Sequence, residues 1–341
     1  MLNKIKKSKD SKSHVSYNPN VSSSLVMENI YSCEYYENLQ NPALPNQQVL
    51  KNINFTAAPG EVWSIFGDSV FEIKLLLEIM SNAKAYERGK LLIGGMDTTR
   101  KKRTILPYVF YIGSTNMAFG NMNTLEYLMY ITKQFNRNVI SRQEYILDYL
   151  LEAELGYICL TPISFLTPQE KSIIILIAAI FNDSMLIIMN LPRLQYNQKQ
   201  ISSINKLASN LKYLGKTLIF NTECYELAQS ISTNICYINK GILLYADALK
   251  SFLNEFDRVI YILGADNINY MVQTLKHALP ELEYHIVQNT IQVLDNYNDK
   301  LSDAKLFHIL SAFNLKPTFV QKNNKNIKNA IQGLIKLNDL Q

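Results

Sequence analysis

Short apolar runs bounded by Gly, Asn and Pro alternate along this chain with longer segments whose apolar residues recur at helical spacing. Residues 62–66 form a β-rich run that ends at Gly67, and 71–80 carry apolar residues at helical spacing. Residues 91–93 and 108–112 read as strands, and 124–135 and 143–153 as helices. A fully apolar helix over 172–181 precedes a buried strand over 185–189. Residues 198–213 are amphipathic, with Gly215 as the stop, and 217–220, 234–238 and 242–245 are further strands. This alternation predicts a mostly parallel sheet covered by helices.

A second unit is predicted from Asp257 onward. Its order is strand 259–263, helix 267–279, a strand pair 284–287 and 290–294 around Gln288-Asn289, helix 302–313, strand 316–320 and helix 326–337. That β-α-β-β-α-β order predicts a small split βαβ, ferredoxin-like α+β domain. Residues 1–24 are rich in Lys, Ser and Asn and read as a disordered basic tail. The expected organisation is therefore a tail over 1–24, an α/β domain over 25–252 with a helical part at 114–165, and an accessory domain over 257–341.

Composition narrows the function classes. The chain has 341 residues, 48% of them hydrophobic, which suits two packed domains. Net charge is +5, and the first fourteen residues hold +4 of it, so no basic face for nucleic acid is indicated. The tail reads either as a solvated segment or as one weakly attracted to an anionic inner leaflet. Cys33, Cys159, Cys224 and Cys236 form no CxxC pair, which argues against a zinc site or disulfide framework and for a reduced cytosolic setting. His277, His285 and His308 are too dispersed for a metal-ligand set. The longest apolar run, 173–181, is less than half of the roughly 20 residues a bilayer requires. The Lys-rich N-terminus lacks the apolar core segment of a signal peptide.

The run Val49-Leu50-Lys51-Asn52-Ile53-Asn54-Phe55 followed by Pro59-Gly60-Glu61-Val62 resembles the entry to an ABC-transporter nucleotide-binding domain. Further landmarks recur in order: Asn182-Asp183-Ser184 before the buried strand Leu186-Ile187-Ile188-Met189, then Gly215-Lys216-Thr217-Leu218-Ile219, then Asn239-Lys240-Gly241-Ile242-Leu243. The resemblance covers Glu28 to Ala246 and implies a P-loop NTPase-like ABC ATPase fold with a helical subdomain. The C-terminal unit resembles the accessory domain that follows the ATP-binding domain in some exporter ATPases.

The positions that would handle nucleotide depart from the family pattern. A phosphate loop reads G-x-x-x-x-G-K-[ST], its amides cradling phosphate, its Lys neutralising charge and its hydroxyl holding Mg²⁺. Here the stretch is Gly67-Asp68-Ser69-Val70-Phe71-Glu72-Ile73-Lys74-Leu75. Glu72 stands for the second Gly, Ile73 for the Lys and Lys74 for the hydroxyl; sliding by one makes Lys74 the Lys but leaves Leu75 behind it. Asp68 and Glu72 bring two carboxylates where phosphates would sit. The metal- and water-handling pair becomes Asn190-Leu191, Glu223 replaces the switch histidine, and Gly113-Ser114 occupies the glutamine lid position. The signature loop reads Leu166-Thr167-Pro168-Gln169-Glu170, in which Thr167 suits a helix cap while Pro168 lacks an N–H donor. Tyr35 and Tyr36 lie near where the family stacks an aromatic ring on adenine, and a plain surface or core Tyr is the competing reading.

The resemblance, with these departures, implies a degenerate, non-catalytic ABC-type subunit docking on a transmembrane permease subunit at the inner face of the membrane. It would pair with itself or with an active ABC ATPase. No metal and no cofactor are expected. The alternative is a divergent but active ABC exporter ATPase that uses ATP and Mg²⁺.

Overall fold

The computed structural model describes residues 23–36, 47–100, 102–133, 138–295 and 303–339. Most of the predicted tail, residues 1–22, lies outside the described residues. Ser24, which the sequence assigned to the tail, is instead buried and accepts the Thr217 hydroxyl at 2.7 Å. The chain divides into two units after Ala248, so residues 249–252 go with the second unit rather than the first.

Among the described residues, the first unit holds two large sheets and one two-stranded sheet. Strands β1 (Leu25–Ser32), β2 (Tyr35–Tyr36), β3 (Gln47–Gln48), β4 (Ile53–Ala57) and β5 (Val62–Gly67) lead into helix α1 (Val70–Met80). Strands β6 (Tyr86–Ile93) and β7 (Met96–Asp97), the short helix α2 (Lys102–Ile105) and strand β8 (Val109–Ile112) follow. Helices α3 (Thr124–Ile131), α4 (Val139–Glu152) and α5 (Pro168–Phe181) precede strand β9 (Leu186–Asn190), helix α6 (Gln198–Tyr213) and strand β10 (Thr217–Asn221). Helix α7 (Tyr225–Ile231) and strands β11 (Asn234–Asn239) and β12 (Ile242–Ala248) complete the unit.

The main sheet runs β12-β11-β5-β10-β9-β8, parallel throughout except for β12. Every residue of β9 and β10 is buried, as parallel strands covered on both faces require. A second sheet, β4-β1-β6-β7, is antiparallel and was not expected from the alternation of elements. One face of it packs against the main sheet and α1. Strand β4 alternates buried Ile53, Phe55 and Ala57 with exposed Asn54 and Thr56, and Phe55 meets Trp63 edge-on at 4.6 Å. The resulting core joins Leu25, Met27, Trp63, Ile65, Leu75 and Leu76.

Two local devices fix this unit. β11 and β12 are joined by Lys240-Gly241 at φ 50° and 75°, the two positive angles of a type I′ hairpin turn. A Cβ on Gly241 would lie 1.9 Å from the Val49 carbonyl oxygen, so only Gly fits there. Lys216 is buried, and its ammonium donates to the carbonyls of Ala179 and Ile180 at 2.7 and 3.1 Å and to that of Asn182. It closes the C-terminus of α5, where a cation is favoured by the helix dipole.

The expected helix over 124–135 ends at Ile131, with Thr132 returning its hydroxyl to the Leu128 carbonyl; 134–135 lie outside the described residues. Its partner begins at Val139, four residues earlier than read, because Asn138 caps it through the Ile140 and Ser141 amides.

The second unit opens with helix α8 (Leu249–Phe256), which the sequence reading missed. Strand β13 (Val259–Gly264), helix α9 (Ile268–Ala278), strands β14 (Glu283–Val287) and β15 (Thr290–Leu294), helix α10 (Asp303–Ala312), strand β16 (Phe319–Lys322) and helix α11 (Ile327–Asp339) follow. The sheet order β14-β15-β13-β16, all antiparallel, is that of a split βαβ, ferredoxin-like arrangement. Gln288 and Asn289, at φ 45° and 63°, make another type I′ turn. The last strand starts at Phe319 rather than 316, because residues 316–318 only lead into the ladder with β13. A core of Tyr261, Leu263, Leu275, Ile291, Val293 and Leu306 holds this unit.

Candidate functional site

The carboxyl ends of β5, β8, β9 and β10 lie side by side, the place where open parallel sheets bind ligands. Strand β5 ends at Gly67 and α1 starts at Val70, so only Asp68 and Ser69 form the turn. The positions aligned with a phosphate cradle, 70–74, are already helical. Ser69 is the N-cap: its hydroxyl accepts the Glu72 amide at 3.3 Å and its carbonyl accepts the Ile73 amide at 3.1 Å. Gly67 has a structural reason of its own, because a Cβ there would lie 2.4 Å from the Ile238 carbonyl oxygen on β11.

The side chains of this stretch point to four different places. Ile73 and Leu75 are buried in the main core. Lys74 is exposed on α1 and pairs loosely with Glu78 at 3.8 Å. Asp68 is exposed and accepts the Tyr237 hydroxyl at 2.5 Å; burial first, then this bond, pushes the Tyr237 phenol up. Glu72 is 4% exposed; one oxygen accepts the Tyr36 hydroxyl at 2.9 Å, and the other has no partner among the described residues. Burial, then the bond to Glu72, raises the Tyr36 phenol. The two carboxylates thus turn to separate tyrosines, where the sequence reading set them facing one cleft.

Tyr35, a candidate for adenine stacking with a plain surface Tyr as the competing reading, is exposed and donates its hydroxyl to Glu87. Tyr36, its neighbour, packs edge-on against Phe71 with ring centres 6.4 Å apart.

Asn190 ends β9 and accepts the Asn221 amide at 2.9 Å, while its own amide reaches the Tyr111 hydroxyl at 3.4 Å. The three come from adjacent strands β9, β10 and β8, a neutral chain across the sheet end. Leu191 is buried beside it. Glu223 is exposed, and its backbone amide donates to the Pro192 carbonyl at 3.0 Å. Ser114 is exposed and caps its own turn by accepting the Asn116 amide at 3.0 Å.

The signature-like loop is a helix start. Thr167 is the N-cap of α5 and Pro168 the first helical residue, where a missing N–H costs nothing. Thr167 and Glu170 form a reciprocal capping box, with the Thr167 amide 2.9 Å from the Glu170 carboxylate. Leu166 is buried, and the Gln169 amide reaches back to the Gln195 carbonyl at 3.1 Å. The Tyr157 hydroxyl donates to Glu170 at 2.6 Å. Partial burial would raise the Glu170 carboxyl, but the bonds from Tyr157 and Thr167 outweigh it and hold it below the usual range. The Tyr157 phenol is pushed up to about 12, mainly by that same bond.

Tyr111, Tyr157, Asn221 and Tyr237 were not singled out from the sequence. Only Asn221 carried a signal, as the residue directly after the predicted strand 217–220. Among the described residues, no group of three or more His, Cys, Asp or Glu side chains is placed to hold a metal.

A parallel sheet of this order, a helical segment between β8 and β9, and an antiparallel sheet over one face together define an ABC-type ATPase fold within the P-loop NTPase class. The comparisons agree. The chain is 23% identical over 234 residues to a phosphonates import ATP-binding protein of Fusobacterium nucleatum, covering 63% of this chain and 93% of that protein. It is 22% identical over 251 residues to a putative ABC transporter ATP-binding protein of Mycoplasma pneumoniae, covering 72% and 74%. A solved ATP-binding subunit of an ABC transporter superposes with a TM-score of 0.57 at 15% identity, over 69% of this chain and 94% of its own. No protein-family model matches the chain. These findings support the ABC ATPase family, and the resemblance read from residues 49–62 stands at that level.

Proposed function

We propose that this chain is a non-catalytic, ATP-binding-type subunit of an ABC transporter, seated at the cytoplasmic face of the membrane against a transmembrane partner. The single observation that carries the reading is the start of α1. Residues aligned with the phosphate cradle form its first turns, and Ile73 and Leu75, aligned with the phosphate-binding Lys and its neighbourhood, belong to the core. A magnesium triphosphate does not fit these side chains. No cation stands at the Lys position, Asn190 is uncharged and already bonded on both sides, and Leu191 accepts no proton.

The helical segment supports the docking part. Tyr157, Leu160 and Phe165 are 72%, 75% and 79% exposed, too apolar and too close in sequence to read as scattered surface residues. Phe119 and Tyr130 stand exposed nearby in sequence and pack together at 5.2 Å. We assign this segment as the seat for a cytoplasmic helix of the permease. Among the described residues no helix is long and apolar enough to cross a membrane, so the attachment is by a partner in this reading. The second subunit is either another copy or an active ABC ATPase, and nucleic acid is not a partner.

The test is turnover by the purified chain with Mg-ATP. The expected rate is indistinguishable from buffer, and the melting temperature does not move with nucleotide. A ligand at 100 times its Kd would add about 2.7 kcal/mol of stability, which is easily seen. The alternative, an active exporter ATPase, draws on the ATP-binding descriptions of the relatives. Mg-ATP turnover that survives purification and disappears on Asn190→Ala would establish it in place of the non-catalytic reading.

A further inference from the structure

In the second unit the sheet β14-β15-β13-β16 has two outer edges, and they are built differently. At β16, Pro317 stands just before the strand, and the Phe319 ring lies over Gly264, where a Cβ would come within 2.4 Å of it. Lys322 ends that strand, its ammonium 6.0 Å from the Tyr261 ring centre. Pro and Lys at an edge are the usual guards against a further strand. β14, Glu283–Val287, carries neither. Its Ile286 and Val287 are 51% and 41% exposed, and among the described residues no strand pairs with its outer side.

The turn sets which backbone groups this edge presents. Gln288 and Asn289 are the two turn residues, so Val287 and Thr290 form the closing hydrogen-bonded pair. Ladder bonds alternate along an antiparallel pair, so Val287, His285 and Glu283 direct their amides and carbonyls to β15. Tyr284 and Ile286 direct theirs outward. Glu283 and His285 share one face of the sheet, their side chains about half exposed and 3.9 Å apart.

These groups fit a second copy of the same strand. In an antiparallel pairing centred on Tyr284, that residue exchanges both backbone bonds with its equivalent, and each Ile286 amide meets the Leu282 carbonyl of the other copy. This register sets Glu283 of each copy directly opposite His285 of the other, a carboxylate against an imidazole N–H, twice by symmetry. A register centred on His285 uses the same outward groups, but it sets the two imidazoles together and Glu283 against Val287. Charge complementarity thus favours the first register and a copy of this chain as the occupant.

We infer that the outer edge of β14 is a homodimer contact, through which two copies of this chain join their four-stranded sheets into one across a two-fold axis. The contact belongs to the second unit, needs no nucleotide, and stands whether or not the first unit turns over ATP.

The experiment is sedimentation equilibrium of the full chain without nucleotide, from about 1 to about 100 μM. A monomer–dimer equilibrium is expected. Glu283→Lys and His285→Glu, both at half-exposed positions, are each expected to weaken the dimer about fivefold. The double variant Glu283→Lys, His285→Glu exchanges the charges and is expected to return to within about twofold of the unaltered chain. A double variant no tighter than the singles overturns the inference. Amide hydrogen exchange of the unaltered chain supplies a measurement that no folding defect can cloud. Tyr284 and Ile286 are expected to exchange at least about fivefold more slowly at the high concentration than at the low one, with β16 unchanged. A monomer throughout the range, which would leave the edge to a strand of another protein, overturns the inference. So does a dimer whose concentration-dependent protection lies in the first unit instead.

Discussion

The starts of α1 and α5 share a Ser/Thr-x-x-Glu pattern, yet they solve the capping problem at different depths. At α5 the Glu170 carboxylate is partly exposed and collects three donors: the Thr167 amide, the Thr167 hydroxyl and the Tyr157 hydroxyl. At α1 the Glu72 carboxylate is buried and, among the described residues, has the Tyr36 hydroxyl alone on one oxygen. The first is a surface cap, redundant and tolerant. The second is a lock between α1 and the β2 hairpin, and it depends on one hydroxyl. The same four-residue pattern therefore predicts different sensitivities once burial is known.

The comparison breaks most visibly at Ile73. Ile73→Lys restores the family's charge in sequence but places an ammonium in the core beside Leu75 and Leu76. It is expected to cost about 3 kcal/mol in urea denaturation and to leave Mg-ATP binding absent. A folded, ATP-binding Ile73→Lys protein would show that the loop can reopen and that α1 is not locked.

Tyr36→Phe comes next. Leaving buried Glu72 without its only side-chain donor among the described residues should cost about 2 kcal/mol. Thr167→Ala removes the α5 cap and should cost about 1 kcal/mol, measured the same way. Tyr157→Phe removes one of three donors at an exposed site and should cost less than about 0.5 kcal/mol. If Tyr157→Phe proved as damaging as Tyr36→Phe, the distinction between lock and surface cap would fail.

The smallest effect is a pH dependence. Glu170 is held below the ordinary carboxylate range, so its contribution is fully present above the unfolded value of about 4.3 and is lost as pH falls through the lower folded value. Acid unfolding of Glu170→Gln should therefore show a shallower loss of stability below about pH 4 than the unaltered chain.

Much of the framework was legible in the residues. Leu186 to Asn190 and Thr217 to Asn221 are near-continuous apolar runs, and such runs identify strands buried on both faces. The two-residue turns at Lys240-Gly241 and Gln288-Asn289 follow from local backbone preference. That residues 67–75 depart from the G-x-x-x-x-G-K-[ST] pattern was also readable, because a motif is a set of residue types at fixed spacing.

What only the tertiary structure decided is where the side chains of those residues point. The sequence set Asp68 and Glu72 against each other, but Tyr237, 169 residues away, takes the first, and Tyr36, 36 residues away, takes the second. The antiparallel sheet β4-β1-β6-β7 and helix α8 were likewise not read. Periodicity reports a residue's immediate neighbours along an element, whereas a hydroxyl that closes on a distant carboxylate is set by packing of strands brought together from across the chain.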